Sequence, residues 1–98
     1  MPKAVEYLAG ARNDFDASFD WYAERDAGAA IGFALAVDDA LETILADLER
    51  FPSTHGGCRY CLLKRYPFRI VFRGETERLV VIAVAHAKRE PGYWHERT

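Results

Sequence analysis

Along the chain the spacing of apolar residues changes from two to about three and a half and back, and each change marks an element. Lys3 to Leu8 alternates, with Val5 and Tyr7 on one side and Ala4, Glu6 and Leu8 on the other, which predicts a short edge strand. Ala11, Phe15, Phe19 and Tyr22 then recur at helical spacing. Asp14, Asp16, Asp20 and Glu24 read as the solvated faces of that helix, with Asn13 or Asp14 near a first turn that favours negative charge. Gly28 is the natural break. Beyond it Ile31, Leu35, Leu41, Ile44, Leu45 and Leu48 form a second apolar stripe, which Phe51-Pro52 ends because proline has no N–H to continue the ladder. The short joint makes the two helices an antiparallel hairpin.

Ser53-Thr54-His55-Gly56-Gly57 is a loop by composition, and the rest of the chain reads as strand. Tyr60-Cys61-Leu62-Leu63 and Phe68-Arg69-Ile70-Val71-Phe72 flank a turn at Arg65-Tyr66-Pro67, and Gly74 to Glu77 leads into Leu79-Val80-Val81-Ile82-Ala83-Val84-Ala85. That last run is apolar at both parities, as in a strand covered on both faces. The expected fold is α+β, with the helical hairpin packed on a small antiparallel sheet and the N-terminal strand added at an edge. If Leu62 pairs with Ile70, then Tyr60, Leu62, Phe68, Ile70 and Phe72 face the helices and Arg59, Arg69 and Arg73 share an open outer face; a slip of one residue reverses this for one strand.

Charge sharpens this division. The chain has a formal net charge of -2, but Met1 to Gly57 carries 4 Lys/Arg against 11 Asp/Glu (-7), and Cys58 to Thr98 carries 9 against 4 (+5). A basic half of this kind attracts polyanions and acidic protein segments. At 98 residues, half of them hydrophobic, the chain is expected to form one domain, residues 1–98, with a modest core. No apolar run approaches the roughly 18 residues of a membrane-spanning helix, and the N-terminus lacks a cationic segment followed by an apolar one, so the expected location is the cytoplasm, with Cys58 and Cys61 reduced. His55, Cys58 and Cys61 have an H-x2-C-x2-C spacing, but on a regular strand the two cysteines point to opposite faces. Neither a metal nor a cofactor is expected. His86 reads as a structural hydrogen-bonding residue, and Trp21 as an aromatic packed at an edge or against a partner.

With helix, helix, a proline-terminated hinge, then Leu63-Lys64-Arg65-Tyr66-Pro67-Phe68-Arg69-Ile70 and the terminal Val84-Ala85-His86-Ala87-Lys88-Arg89-Glu90-Pro91-Gly92-Tyr93-Trp94, the chain resembles the ParE/RelE superfamily of toxins from type II toxin-antitoxin modules, often called plasmid stabilisation proteins. The resemblance covers nearly the whole chain. It implies neutralisation by a cognate antitoxin whose C-terminal segment wraps the toxin, and therefore a toxin-antitoxin hetero-oligomer.

Two target classes follow from the resemblance. RelE-like members cleave mRNA on the ribosome with lysines and arginines of the sheet, an arginine after the last strand, and a terminal tyrosine or histidine. In that reading Arg69 and Arg89 stabilise phosphate charge and Tyr93 or His95 moves a proton. Tyr60 and Leu62, however, stand where the ribonuclease type has two lysines. ParE-like members poison DNA gyrase and are not hydrolases. The chain is accordingly expected to be a ParE-like inhibitor, with Arg59, Lys64, Arg65, Arg69, Arg73, Lys88, Arg89, Tyr93, Trp94 and His95 as target or antitoxin contacts. A ribosome-dependent endoribonuclease, or a nontoxic interaction module of the same fold, is the alternative.

Overall fold

The bend of the helical hairpin is set by Asp26. In the computed structural model, which describes residues 3–98, helix α1 spans Ala9–Ala23 and helix α2 spans Ala27–Ala46. The Asp26 carboxylate caps α2 by accepting from the backbone N–H groups of Gly28 at 2.8 Å and Ala29 at 3.4 Å. The break therefore falls two residues before Gly28, which lies inside the first turn of α2. Helix α1 also begins earlier than the acids suggest, at Ala9, so Asn13 and Asp14 lie in its second turn.

The buried side of α2 is Ala30, Phe33, Val37, Ala40, Leu41 and Ile44, a stripe of three- and four-residue steps. Ile31 and Leu35, expected in the core, are on the other side and more than half exposed, at 59% and 62%. Four residues separate them, so they form a stripe of their own. Phe33 is the centre of the core. Its ring meets Phe15 at 5.4 Å, Tyr22 at 5.5 Å, Tyr66 at 5.9 Å and Phe68 at 4.9 Å between centroids.

The helices pack on a four-stranded sheet made of β1 (Ala4–Tyr7), β2 (Arg59–Leu62), β3 (Phe68–Gly74) and β4 (Arg78–His86), in the order β1-β4-β3-β2. β2, β3 and β4 form the expected antiparallel meander. β1 is at an edge, as expected, but runs parallel to β4, which makes the sheet mixed. The helical hairpin carries the chain back across the sheet before β2, and a crossover of that length permits the parallel pairing. β4 is buried from Leu79 to Ala85.

The β2 register departs from the expected pairing. Cys61, not Leu62, pairs with Ile70, and Leu62 pairs with Arg69. This slip of one residue turns Cys61 and Arg59 toward the helices, and Tyr60 and Leu62 toward the outer face. Both parities of β2 are apolar, so periodicity could not choose between them; the small thiol of Cys61 fits beneath α2, and Tyr60 packs on the outer side. The outer face is not open either. Cys58, Val71, Val80, Ile82, Ala83 and Trp94 form a second core there, and the chain after β4 folds back to cover it. Among the described residues no helix is long and apolar enough to cross a membrane.

Replacing Phe33 by alanine removes a fully buried ring that four other rings surround, so Phe33→Ala is expected to cost about 3–5 kcal/mol in denaturant unfolding, against less than about 0.5 kcal/mol for exposed Glu42→Ala.

Candidate functional site

Asp14 is the one buried charged side chain among the described residues, and it organises the chain's C-terminal segment. β1 pairs with β4 only as far as Tyr7 and Val81, followed by a last bond from Leu8 N–H to the Val81 carbonyl at 3.0 Å. Beyond that point the β1 side of β4 lacks a strand, and helix α1 supplies the acceptor. Val84 N–H donates to Asp14 Oδ2 at 3.2 Å, the Tyr93 hydroxyl to the same oxygen at 2.9 Å, and Arg97 Nη1 at 2.8 Å. Arg97 Nη2 reaches Oδ1 at 3.4 Å, and its Nη1 also donates to the Ile82 carbonyl at 3.1 Å. Gly10 makes room for this: a Cβ there would lie 2.6 Å from Arg97 Cζ and Nε.

Three parts of the molecule thus converge on one carboxylate, and a buried charge persists only when so paired. Burial, followed by the charge of Asp14 and the hydrogen bond to it, pushes the Tyr93 phenol well above the usual tyrosine range. The hydrogen bond to Asp14 likewise raises Arg97 above the ordinary arginine value. Asp14 was expected on a solvated helix face. Its place three residues after buried Ala11 and next to Phe15 is the only local signal that it faces inward, while its partners lie 70 to 83 residues away in the chain.

Clamped in this way, the C-terminal segment encloses a cavity of about 250 Å³ on the outer face of the sheet. Arg69, Arg89, Tyr93, Trp94 and His95, five of the residues singled out from the sequence, line it together with Tyr60 and His86. The Arg69 guanidinium lies over the Tyr60 ring at 4.6 Å, and that of Arg89 over Tyr93 at 3.9 Å. His95 stacks on His55 with centroids 3.9 Å apart. Trp94 is buried, so its ring supports the cavity from within the second core. Lys88 is exposed in the turn that follows β4, and its backbone N–H donates to His86 Nδ1 at 2.9 Å.

The other named cations lie elsewhere. Arg59 is turned to the helix side of the sheet, where Nη1 donates to the Phe51 carbonyl at 2.6 Å, so it does not share a face with Arg69. Arg73 is ion-paired to Glu75 at 3.2 Å. Glu75 also pairs with Arg78, whose hydrogen bond holds its carboxyl below the usual range, and Arg78 reaches Glu6 of β1 at 2.7 Å. Lys64 and Arg65 are exposed at the β2–β3 turn and line a second, larger groove of about 1090 Å³ between α2 and the edge of β2. Its opposite wall carries Leu35, Asp38, Asp39 and Glu42. Cys58 and Cys61 are buried on opposite sides of the sheet, and burial raises both thiols above their usual range.

The clamp has two measurable consequences. Asp14→Ala leaves the Val84 N–H and Arg97 without their acceptor and is expected to destabilise the fold by about 3–5 kcal/mol in urea unfolding. Tyr93 has a folded pKa above its unfolded value of 10.0, so its contribution is complete below pH 10 and declines as pH rises further. Tyr93→Phe is expected to lose about 1 kcal/mol below pH 10, from the missing hydrogen bond, and to show a shallower fall in stability above pH 10 than the wild type.

Comparison with known proteins places this architecture. Among curated proteins no sequence relative matches. Among solved structures, a chain of the chromosomal ParDE TA system from P. aeruginosa superposes with a TM-score of 0.74 at 19% identity, over 88% of this chain and 97% of that one, which shows a shared fold. The family model described as the ParE toxin of type II toxin-antitoxin system, parDE, matches residues 5–91, from β1 through α1, α2 and the whole meander into the turn that follows β4. That match spans most of the sequence, and the chain belongs to the ParE toxin family of type II toxin-antitoxin systems.

Proposed function

We propose that the chain acts as the toxin of a toxin-antitoxin pair, is neutralised by a cognate antitoxin, and arrests growth by acting on DNA gyrase rather than by cleaving mRNA. The observation that carries this choice is the engagement of the outer-face groups. A ribonuclease needs a proton acceptor and a donor free beside its phosphate-binding cations. Tyr93 instead donates its hydroxyl to Asp14, Arg73 is paired to Glu75, and the β2 positions of the ribonuclease lysines hold Tyr60 and Leu62. What remains exposed is a surface suited to protein contact: Arg69 and Arg89 on one face, Lys64 and Arg65 at the β2–β3 turn.

The groove between α2 and β2 supports the antitoxin part of the reading. Leu35 and Leu62, 62% and 63% exposed, offer apolar anchors, and the outer edge of β2 past Tyr60, whose N–H already donates to the Pro52 carbonyl, leaves backbone groups for an added strand. Lys64, Arg65 and Arg50 lie along the same groove and complement an acidic segment. The solved ParDE system from P. aeruginosa, with which this chain shares its fold, is by its title a toxin-antitoxin assembly.

Induction of the chain without antitoxin, with separate labelling of DNA and protein synthesis, tests the proposal. DNA labelling is expected to stop first, and the purified chain is expected to trap cleaved DNA on gyrase. Early loss of protein synthesis, with message cleaved on ribosomes and restored by Arg89→Ala, would establish the nuclease instead. Normal growth with folded protein present would leave a nontoxic interaction module.

A further inference from the structure

The groove beside α2 has walls of opposite charge that do not reach each other, and we infer that a second copy of the chain seats there, α2 against α2 about a two-fold axis. Asp38, Asp39 and Glu42 stand on the helix wall, with Lys64 and Arg65 across the groove, and all five are exposed. Among the described residues none of them makes an ion pair. A surface of one sign calls for a partner of the other sign. A surface with both signs beside an apolar centre is complementary to itself when turned by half a revolution, which is the condition for an isologous dimer.

The apolar centre is the stripe of Ile31 and Leu35 on the side of α2 away from the core. Two such helices laid antiparallel, with the axis at the level of Phe33, bring Ile31 of each copy against Leu35 of the other. The same rotation carries Asp39, one turn beyond Leu35, to the level of Ala27 in the other copy. The β2–β3 turn lies toward that end of α2: the Tyr66 hydroxyl donates to the Ala29 carbonyl at 3.0 Å, and its ring end abuts Gly32. Because the axis is perpendicular to both helices, the groove side of one copy stays on the groove side of the other. The acids of each α2 therefore approach Lys64 and Arg65 of the other copy, and the contact is made twice. With so small an apolar centre the association is weak and reversible, with a dissociation constant on the order of 100 μM. Leu35, Lys64 and Arg65 also border the groove proposed above for the antitoxin, so the dimer is a state of the free chain that antitoxin binding would dissolve. It does not rest on that reading.

Sedimentation of the full chain without antitoxin, from about 10 μM to about 1 mM, tests the dimer. Mass is expected to rise from one copy to two across that range, and the rise to shrink in high salt. Ile31→Asp, at an exposed position outside the groove lining, is expected to weaken association by about tenfold or more with unchanged circular dichroism. Two charge-reversed chains give the sharper test, one with Asp39→Lys and Glu42→Lys, the other with Lys64→Glu and Arg65→Asp. Each alone sets like charges against each other and is expected to remain a single copy. Mixed in equal amounts, they restore opposite charges at both contacts and are expected to pair. A single copy of the wild type at every concentration, a dimer indifferent to Ile31→Asp, or reversed chains that stay apart when mixed would overturn the assignment.

Discussion

The carboxylate of Asp14 is the point at which the molecule closes on itself. It continues the hydrogen bonding of β4 where β1 stops, and it anchors the tail through Tyr93 and Arg97. A charge removed from water is costly unless it is hydrogen-bonded, so the clamp depends most on the carboxylate itself: loss of one donor leaves it the others, and loss of the carboxylate strands the Val84 N–H and Arg97 together. The covering of the second core by Trp94, the position of His95 against His55 and the enclosure of the cationic cavity all require the tail to be held down.

The sheet consequently has a core on each side, of unequal size. On the helix side, Phe33 and its ring neighbours form an aromatic core that needs little from the rest of the chain beyond the hairpin itself. On the outer side the apolar surface is smaller and depends on a segment with no regular secondary structure except a short 3-10 turn at His95–Arg97. Segments with few buried contacts open at lower free energy than the body of the fold. In this chain the cations of the outer face therefore lie on a surface whose shape is maintained by a polar clamp as well as by packing.

Much of the fold could be read from periodicity. The 3.6-residue repeat of Phe15, Phe19 and Tyr22 and the run from Leu79 to Ala85 each carry a strong local signal and map to their elements, whereas α2 ends at Ala46, before Leu48 and the Phe51-Pro52 stop expected to close it. What periodicity could not resolve were choices between two apolar parities or two apolar stripes: Cys61 against Leu62 in β2, and Phe33 with Val37 against Ile31 with Leu35 in α2. The site was legible in part. The terminal cations and rings were recognised as a group because they are adjacent in sequence, and Arg69 joined them through strand order. Asp14 and Arg97 were not, because their meaning lies in a contact across 83 residues that no local pattern encodes. Arg59 and Arg73, grouped with Arg69 by parity and charge, are engaged by the Phe51 carbonyl and by Glu75.

The dependence of the outer face on Asp14 is most directly tested by amide hydrogen exchange on the wild type and Asp14→Asn. Asparagine keeps the size of the side chain but removes the charge that holds Arg97. The account predicts that protection is lost selectively at Val84 and at residues 93–98, while α2 and the β2–β3 pairing keep theirs. Unchanged exchange in the C-terminal segment, or a uniform loss across the whole fold, would contradict it.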